Sequence, residues 1–187
     1  MTTQRRRRIL ERAQELGALT FGDFVLSSGG RSGYYFDGRL ATLDPEGAYT
    51  VAKAMLPLVV EAKADAVAGP AVAGVPVVTA IGVVSFLEGT PVPGLIVRNE
   101  AKAHGTGKRI EGTLEPGARV VVVDDTCSTG GSLLQAAEAV EEAGGTVVRV
   151  LCILDRRMGG GDEIRRRGYD FTALLEASDE GVIRPAE

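Results

Sequence analysis

Four consecutive valines, Val120 to Val123, run directly into Asp124 and Asp125 and then into a Thr/Cys/Ser/Gly turn, "VVVVDDTCSTGGS". A strand with no polar side must be covered on both faces, the condition of a central strand in a parallel sheet rather than of a half-solvated antiparallel one. The stretches "ADAVAG", "VPGLIVR" and "TVVRVLCILD" are similarly apolar. They alternate with the helical patterns "GVPVVTAIGVVSFLEG" and "GSLLQAAEAVEEAGG", the second closed by Gly144 and Gly145. This order predicts an α/β fold, a central mostly parallel sheet flanked by helices. In such sheets ligands bind outside the carboxyl ends of the strands. Each polar cluster described below falls at such an end.

Ahead of the alternation lie a helical pattern in which Ile9, Leu10, Ala13 and Leu16 share a face, and two short strand-like runs, "FVLS" and "YYFD", which read as a hairpin. A further helix is expected from Pro45, with Asp44 as its N-cap and Pro57 as a possible kink. A chain of 187 residues that is 44% hydrophobic suits one domain over 1–187 with a single large core. The smaller N-terminal part is expected over roughly 1–40 and the core over roughly 41–175. With 25 acidic and 21 basic residues the formal net charge is -4, which gives no general attraction to nucleic acid or to anionic membranes. The "RRRR" run at Arg5 to Arg8 reads as the solvated end of a helix. Cys127 and Cys152 form no disulfide or zinc pattern. The absence of a signal-like apolar stretch, or of any run of about 18 apolar residues, leads to the expectation of a soluble cytoplasmic protein.

The turn after the valines has the makings of an anion cradle. A helix N-terminus offers unpaired N–H groups and partial positive charge, Gly130 and Gly131 permit close approach of the backbone, and Thr126, Ser128 and Thr129 add hydroxyl donors. Two carboxylates beside it would repel a phosphate but suit hydroxyl groups, or a Mg²⁺ ion, on the same ligand. A sugar phosphate with free hydroxyls meets both conditions. A helix cap would need one acid, not a pair followed by small residues.

The same stretch resembles the phosphoribosyl pyrophosphate (PRPP) signature of type I phosphoribosyltransferases. The resemblance implies that family's fold, including a small N-terminal hood subdomain. It also implies that Asp124 and Asp125 hold the ribose 2- and 3-hydroxyls, while Thr126, Cys127, Ser128, Thr129, Gly130, Gly131 and Ser132 bind the 5-phosphate. Three further segments make the whole chain similar to the orotate phosphoribosyltransferases. "VRNEAKAHGTGKRIEG" (97–112) is a charged, Gly-bearing loop between two strands, with a composition that suits a mobile lid carrying cations to a leaving group. It resembles the family's catalytic loop, which reaches into the neighbouring subunit. Arg98, Lys102 and His104 are thereby implied in pyrophosphate binding or catalysis, Lys102 foremost, and the 98–109 loop is expected to act in trans within a homodimer. "FVLSSGGRSGYYFD" resembles the hood, which implies that Tyr35 and Phe36 line the orotate pocket. In "LDRRMGGG" the guanidinium of Arg156 suits bidentate pairing with a carboxylate. Resemblance implies that this carboxylate is orotate's, with Ser128 alongside.

Departures from the family pattern are Asn99 where many members carry Lys, Val72 and Ala73 where some carry an aromatic residue and Lys, and Ser27 where some carry a cation. Either PRPP affinity would then be lower, or Lys102, Lys108 and Mg²⁺ would carry more of the neutralisation. The implied reaction converts PRPP and orotate to orotidine 5-phosphate and pyrophosphate, with Mg²⁺ arriving mainly on PRPP and no protein metal ligands. Asp124, Asp125, Lys102 and His104 are the implied catalytic set. A helix N-terminus would favour the Cys127 thiolate, but a small residue filling a tight turn accounts for it. A phosphoribosyltransferase for another base and a non-catalytic PRPP-sensing regulator are the alternatives.

Overall fold

The structure, a computed structural model, describes residues 3–25, 31–98, 109–178 and 180–186. Helix α1 (Thr3–Glu15) leads into the antiparallel hairpin of β1 (Leu19–Val25) and β2 (Arg31–Phe36), a two-stranded sheet of its own. There follow α2 (Gly38–Thr42), α3 (Pro45–Glu61), β3 (Ala66–Pro70), α4 (Gly74–Leu87), β4 (Gly94–Val97) and β5 (Ile110–Glu111). The rest of the chain forms β6 (Arg119–Cys127), α5 (Gly131–Glu142), β7 (Thr146–Asp155), α6 (Gly160–Arg166), β8 (Phe171–Ala177) and β9 (Ile183–Pro185). The main sheet runs β5-β4-β3-β6-β7-β8-β9, parallel except for its two antiparallel edges, β5 on β4 and β9 on β8.

That order contains a reversal. From β3 the chain crosses outward to β4, and from β6 it proceeds in the other direction to β7 and β8. Between β3 and β6 the two sets of connections diverge, so a crevice opens at the carboxyl ends of these two strands. The four valines of β6 are fully buried and divide by parity. Val121 and Val123 join the core beneath α1, α3 and α4, whereas Val120 and Val122 join the core beneath α5. Successive side chains of a strand point to opposite faces, which is why the run has no polar member.

Asp44 caps α3 as expected, accepting a hydrogen bond from the Gly47 amide at 2.8 Å, and the helix continues past Pro57 to Glu61. A salt bridge from Arg12 at 2.8 Å ties this cap to α1 and, by hydrogen bonding, brings the Asp44 carboxyl down to about 2. Strand β7 spans the whole of the expected "TVVRVLCILD". One expectation is corrected. Strand β6 does not end at the acids: it stays paired with β7 through Cys127, opposite Asp155, so Thr126 and Cys127 lie within the strand rather than in the turn after it. The elements α2, α6, β8 and β9 carried no expectation, being short and close to polar residues.

Gly47 shows how packing can reverse a local preference. In a helix interior Ala is favoured over Gly by about 1 kcal/mol, but a Cβ at residue 47 would lie 2.1 Å from the backbone oxygen of Ala41. The prediction is that Gly47→Ala destabilises the fold by about 1–3 kcal/mol, the cost of overpacking, read as a lower urea midpoint at unchanged slope. A raised midpoint would show that the α2–α3 junction yields.

Candidate functional site

The two acids sit where the ladder on one side of β6 has stopped and the other continues. Pairing of β3 with β6 ends at Ala68 opposite Val122, while pairing with β7 runs on to Cys127. Asp124 and Asp125 therefore occupy the wall of the crevice. As adjacent residues of a strand they diverge to opposite faces, and their contacts follow that rule. Asp124 turns towards α5, accepting a hydrogen bond from the Ser132 hydroxyl at 2.9 Å and one from the Asp125 amide at 2.9 Å. Asp125 turns towards α2, where a Cβ on Gly38 would stand 2.5 Å from its own Cβ, and it accepts from the Thr126 hydroxyl at 3.1 Å. Only a glycine allows α2 to come so close.

Both carboxyl groups are almost enclosed, with Asp124 4% and Asp125 7% exposed. Burial, reinforced by the neighbouring Asp125 charge, pushes Asp124 up to about 7. Asp125 is also raised, mainly by burial, with the hydrogen bonds from Thr126 opposing. A carboxylate in this setting gains much from a partner that donates to it. Among the described residues no group of three or more His, Cys, Asp or Glu is placed to hold a metal ion. The oxygen donors of this pair fit a hard divalent cation whose remaining ligands come from elsewhere.

The turn that follows is braced from behind. Gly130, at φ +81°, caps α5, and the first amides of that helix have no intrahelical acceptor. The loop carbonyls are taken up by the segment after β7: Cys127 accepts from the Arg156 amide at 2.8 Å and Ser128 from the Gly160 amide at 2.9 Å. A Cβ at Gly160 would come within 2.5 Å of both the Gly130 nitrogen and the Ser128 oxygen. Gly160 of "MGGG" thus lets two backbones touch, a role that sequence reading missed although the triplet was visible. Thr126 and Ser128 are half-buried, while Thr129, Gly131 and Ser132 are exposed. Cys127 is 1% exposed with its side chain in the core beneath α5, and burial followed by the charges of Asp155 and Asp124 pushes its thiol up to about 12. It contributes backbone to the turn, not a thiolate.

Arg156 leaves the carboxyl end of β7 and crosses to the hairpin, where its Nη2 donates to the Phe36 carbonyl at 3.0 Å. It lines a cleft of about 270 Å³ together with Tyr34, Ser32 and Ser178. Phe36 itself is buried in the main core, and the 43% exposed Tyr35 lies on the other side of β2, its ring 5.8 Å from that of Phe24. Of the "YYF" run the structure brings Tyr34 and the Phe36 backbone to Arg156, and it places the Tyr35 side chain apart from it. Period-two alternation puts Tyr34 and Phe36 on one face and Tyr35 on the other, without telling which face turns inward.

Arg98 sits at the end of β4, two strands from β6. Its amide donates to the Arg109 carbonyl at 2.8 Å and its guanidinium pairs with Glu111 at 3.3 Å. The 98–109 segment therefore springs from a closed hairpin stem at the carboxyl edge of the sheet. Lys102, His104, Lys108, Asn99 and Ser27 lie outside the described residues. Val72 is exposed and Ala73 caps α4 at the end of β3, beside the crevice.

Comparison with known proteins agrees with this arrangement. The model of the phosphoribosyl transferase domain matches residues 45–170. An orotate phosphoribosyltransferase of Methanopyrus kandleri is 42% identical over 97% of this chain and 95% of its own. The orotate phosphoribosyltransferase of Mycobacterium tuberculosis, solved with Fe(III) dicitrate, superposes with a TM-score of 0.82 at 35% identity, covering 95% of this chain and 99% of that one. The same enzyme solved with PRPP gives a TM-score of 0.76 at 30% identity, covering 97% and 94%. Sheet order, acid pair, braced turn and whole-length identity lead to one conclusion: the chain belongs to the orotate phosphoribosyltransferase family.

Proposed function

We propose that this protein transfers the phosphoribosyl group of PRPP to orotate, giving orotidine 5-phosphate and pyrophosphate, as a step of pyrimidine nucleotide synthesis in the cytoplasm. The observation that carries the reading is the convergence of the acid pair, the turn after it and Arg156 at the carboxyl ends of β6 and β7. Asp124 and Asp125 accept hydrogen bonds from the ribose hydroxyls, and the turn from Thr126 to Ser132 holds the 5-phosphate through amides and hydroxyls. Arg156 pairs with the orotate carboxylate from the hairpin side, with Ser128 nearby. N1 of orotate forms the new bond to C1 as the bond from C1 to the pyrophosphate oxygen breaks, and the N1 proton is lost. Positioning and charge stabilisation supply the rate, with no protein nucleophile.

Mg²⁺ carried in on PRPP would neutralise the departing pyrophosphate, and Asp124 and Asp125 are the described carboxylates that fit beside it. Arg98, Lys102 and His104 are assigned to the pyrophosphate, with Lys102 the leading catalytic group. The whole 1–187 span acts as one domain, its N-terminal hairpin forming a hood over the base. A homodimer in which the 98–109 loop serves the partner's site is supported by the apolar face of α3 and α4. There Tyr49, Val83 and Leu87 line an open groove of about 520 Å³ next to the exposed Phe86. A continuous apolar face of this kind marks an interface.

The reaction is tested by following orotate absorbance with purified protein, PRPP and Mg²⁺, with uracil, adenine and hypoxanthine in parallel. Consumption of orotate alone is expected, dependent on PRPP and metal; turnover of a purine, or of nothing, would reject the assignment. Arg156→Ala should lower kcat/KM for orotate by about 2–4 kcal/mol, as when one member of a desolvated charge pair is removed, while leaving PRPP affinity nearly unchanged. For Asp124 the unfolded chain releases its proton near 3.8 and the folded chain holds it to about 7. The ligand-free protein should accordingly lose stability as pH rises across that window, and Asp124→Asn should abolish this part of the profile in denaturant titrations. Phe86→Asp should convert a dimer to a monomer in sedimentation and remove activity, and a wild-type monomer with full activity would contradict action in trans.

A further inference from the structure

We infer that Tyr34 is a positioning residue for Arg156, its ring face holding the guanidinium where it can receive a carboxylate. This rests on the functional reading above and extends it to a residue which that reading does not use. The guanidinium carbon of Arg156 lies 5.7 Å from the centre of the Tyr34 ring. Among the described residues the charge has no carboxylate partner: one hydrogen bond goes to the Phe36 carbonyl, and Nε is buried without an acceptor. A cation in this state is held by the negative face of an aromatic ring at distances within about 6 Å. It keeps its capacity for an incoming anion, because a ring attracts it without occupying its N–H groups. A carboxylate at the same place would hold it more tightly but would compete with the substrate.

Tyr34 is itself fixed. It is 6% exposed, between the core and the cleft. The Ser32 hydroxyl accepts from its amide at 3.3 Å and donates to its carbonyl at 2.7 Å, locking the backbone of β2 at this residue. Behind the ring stands the turn between β8 and β9, where a Cβ on Gly181 would lie 3.8 Å from Tyr34 Cδ1. The hairpin, the end of β7 and the carboxyl-terminal turn therefore meet on one ring. Strand alternation explains the choice of residue, since Tyr34 and Phe36 face inward while Tyr35 faces out.

The test is a set of ring variants assayed for orotate and PRPP separately. Tyr34→Phe should remain within about twofold of wild type, whereas Tyr34→Leu should raise KM for orotate by roughly five- to thirtyfold, the equivalent of a desolvated cation–π contact. KM for PRPP should change little. In an Arg156→Ala background the same Tyr34→Leu change should add nothing. If Tyr34→Leu fails to fold, phenylalanine bearing one, two or three ring fluorines at residue 34 keeps the shape while weakening the ring's negative face, and KM for orotate should climb stepwise. A flat series, a Phe variant as impaired as Leu, or a parallel loss for both substrates would overturn the inference while the orotate reaction stands. A wild-type protein that consumes no orotate would overturn the functional reading and this inference together.

Discussion

Everything in the site depends on β6 being buried on both faces and yet outlasting its neighbour β3. Two-sided burial of Val120 to Val123 makes the strand the rigid centre of the molecule. Continued pairing with β7 then carries that rigidity on to Cys127, past the last residue paired with β3. The two acids are held by a sheet rather than by a loop, on a wall with an open side. Adjacent carboxyl groups would repel on a flexible turn; here the pleat sends one towards α5 and the other towards α2. Enclosure raises both pKa values, which leaves a site that is poor when empty and improved by any partner that donates to it or brings positive charge.

The turn after the acids is built from two chains of backbone, not one. Its own glycine, Gly130, supplies the left-handed conformation, and Gly160 supplies the space for the segment that satisfies its carbonyls. With the carbonyls engaged at the back, the donors at the head of α5 are directed to the crevice. The segment that braces the turn is also the one that carries Arg156 to the hairpin. The turn and Arg156, the phosphate and base subsites of the proposed reaction, are thus coupled through a few residues, and a disturbance at Gly160 would be felt in both.

Much of this was legible in the residues. Apolar runs and their alternation with helical patterns implied a parallel sheet, the Asp44–Pro45 pair marked the start of α3, and the acids with their small-residue turn marked the crevice at the carboxyl end of β6. The short elements α2, α6, β8 and β9 were not legible, because each is stabilised by neighbours more than by its own pattern. Strand β6 outran expectation for a related reason: polar residues at its end are tolerated as strand only because β7 offers a ladder to pair with, which no local rule reports.

By itself the sequence determined the fold class, the position of the acid pair at a strand's end and the chemistry of the turn, since hydrophobic periodicity and glycine placement act over short distances. Tertiary structure alone decided which side chains meet. It set Tyr34 rather than Tyr35 against Arg156, because that depends on which face of the hairpin turns inward. It placed Gly38 under Asp125 and Gly160 behind Gly130, because those contacts join segments far apart in the chain. It also raised the carboxyl pKa of Asp124, because enclosure belongs to the packed molecule and not to any residue within it.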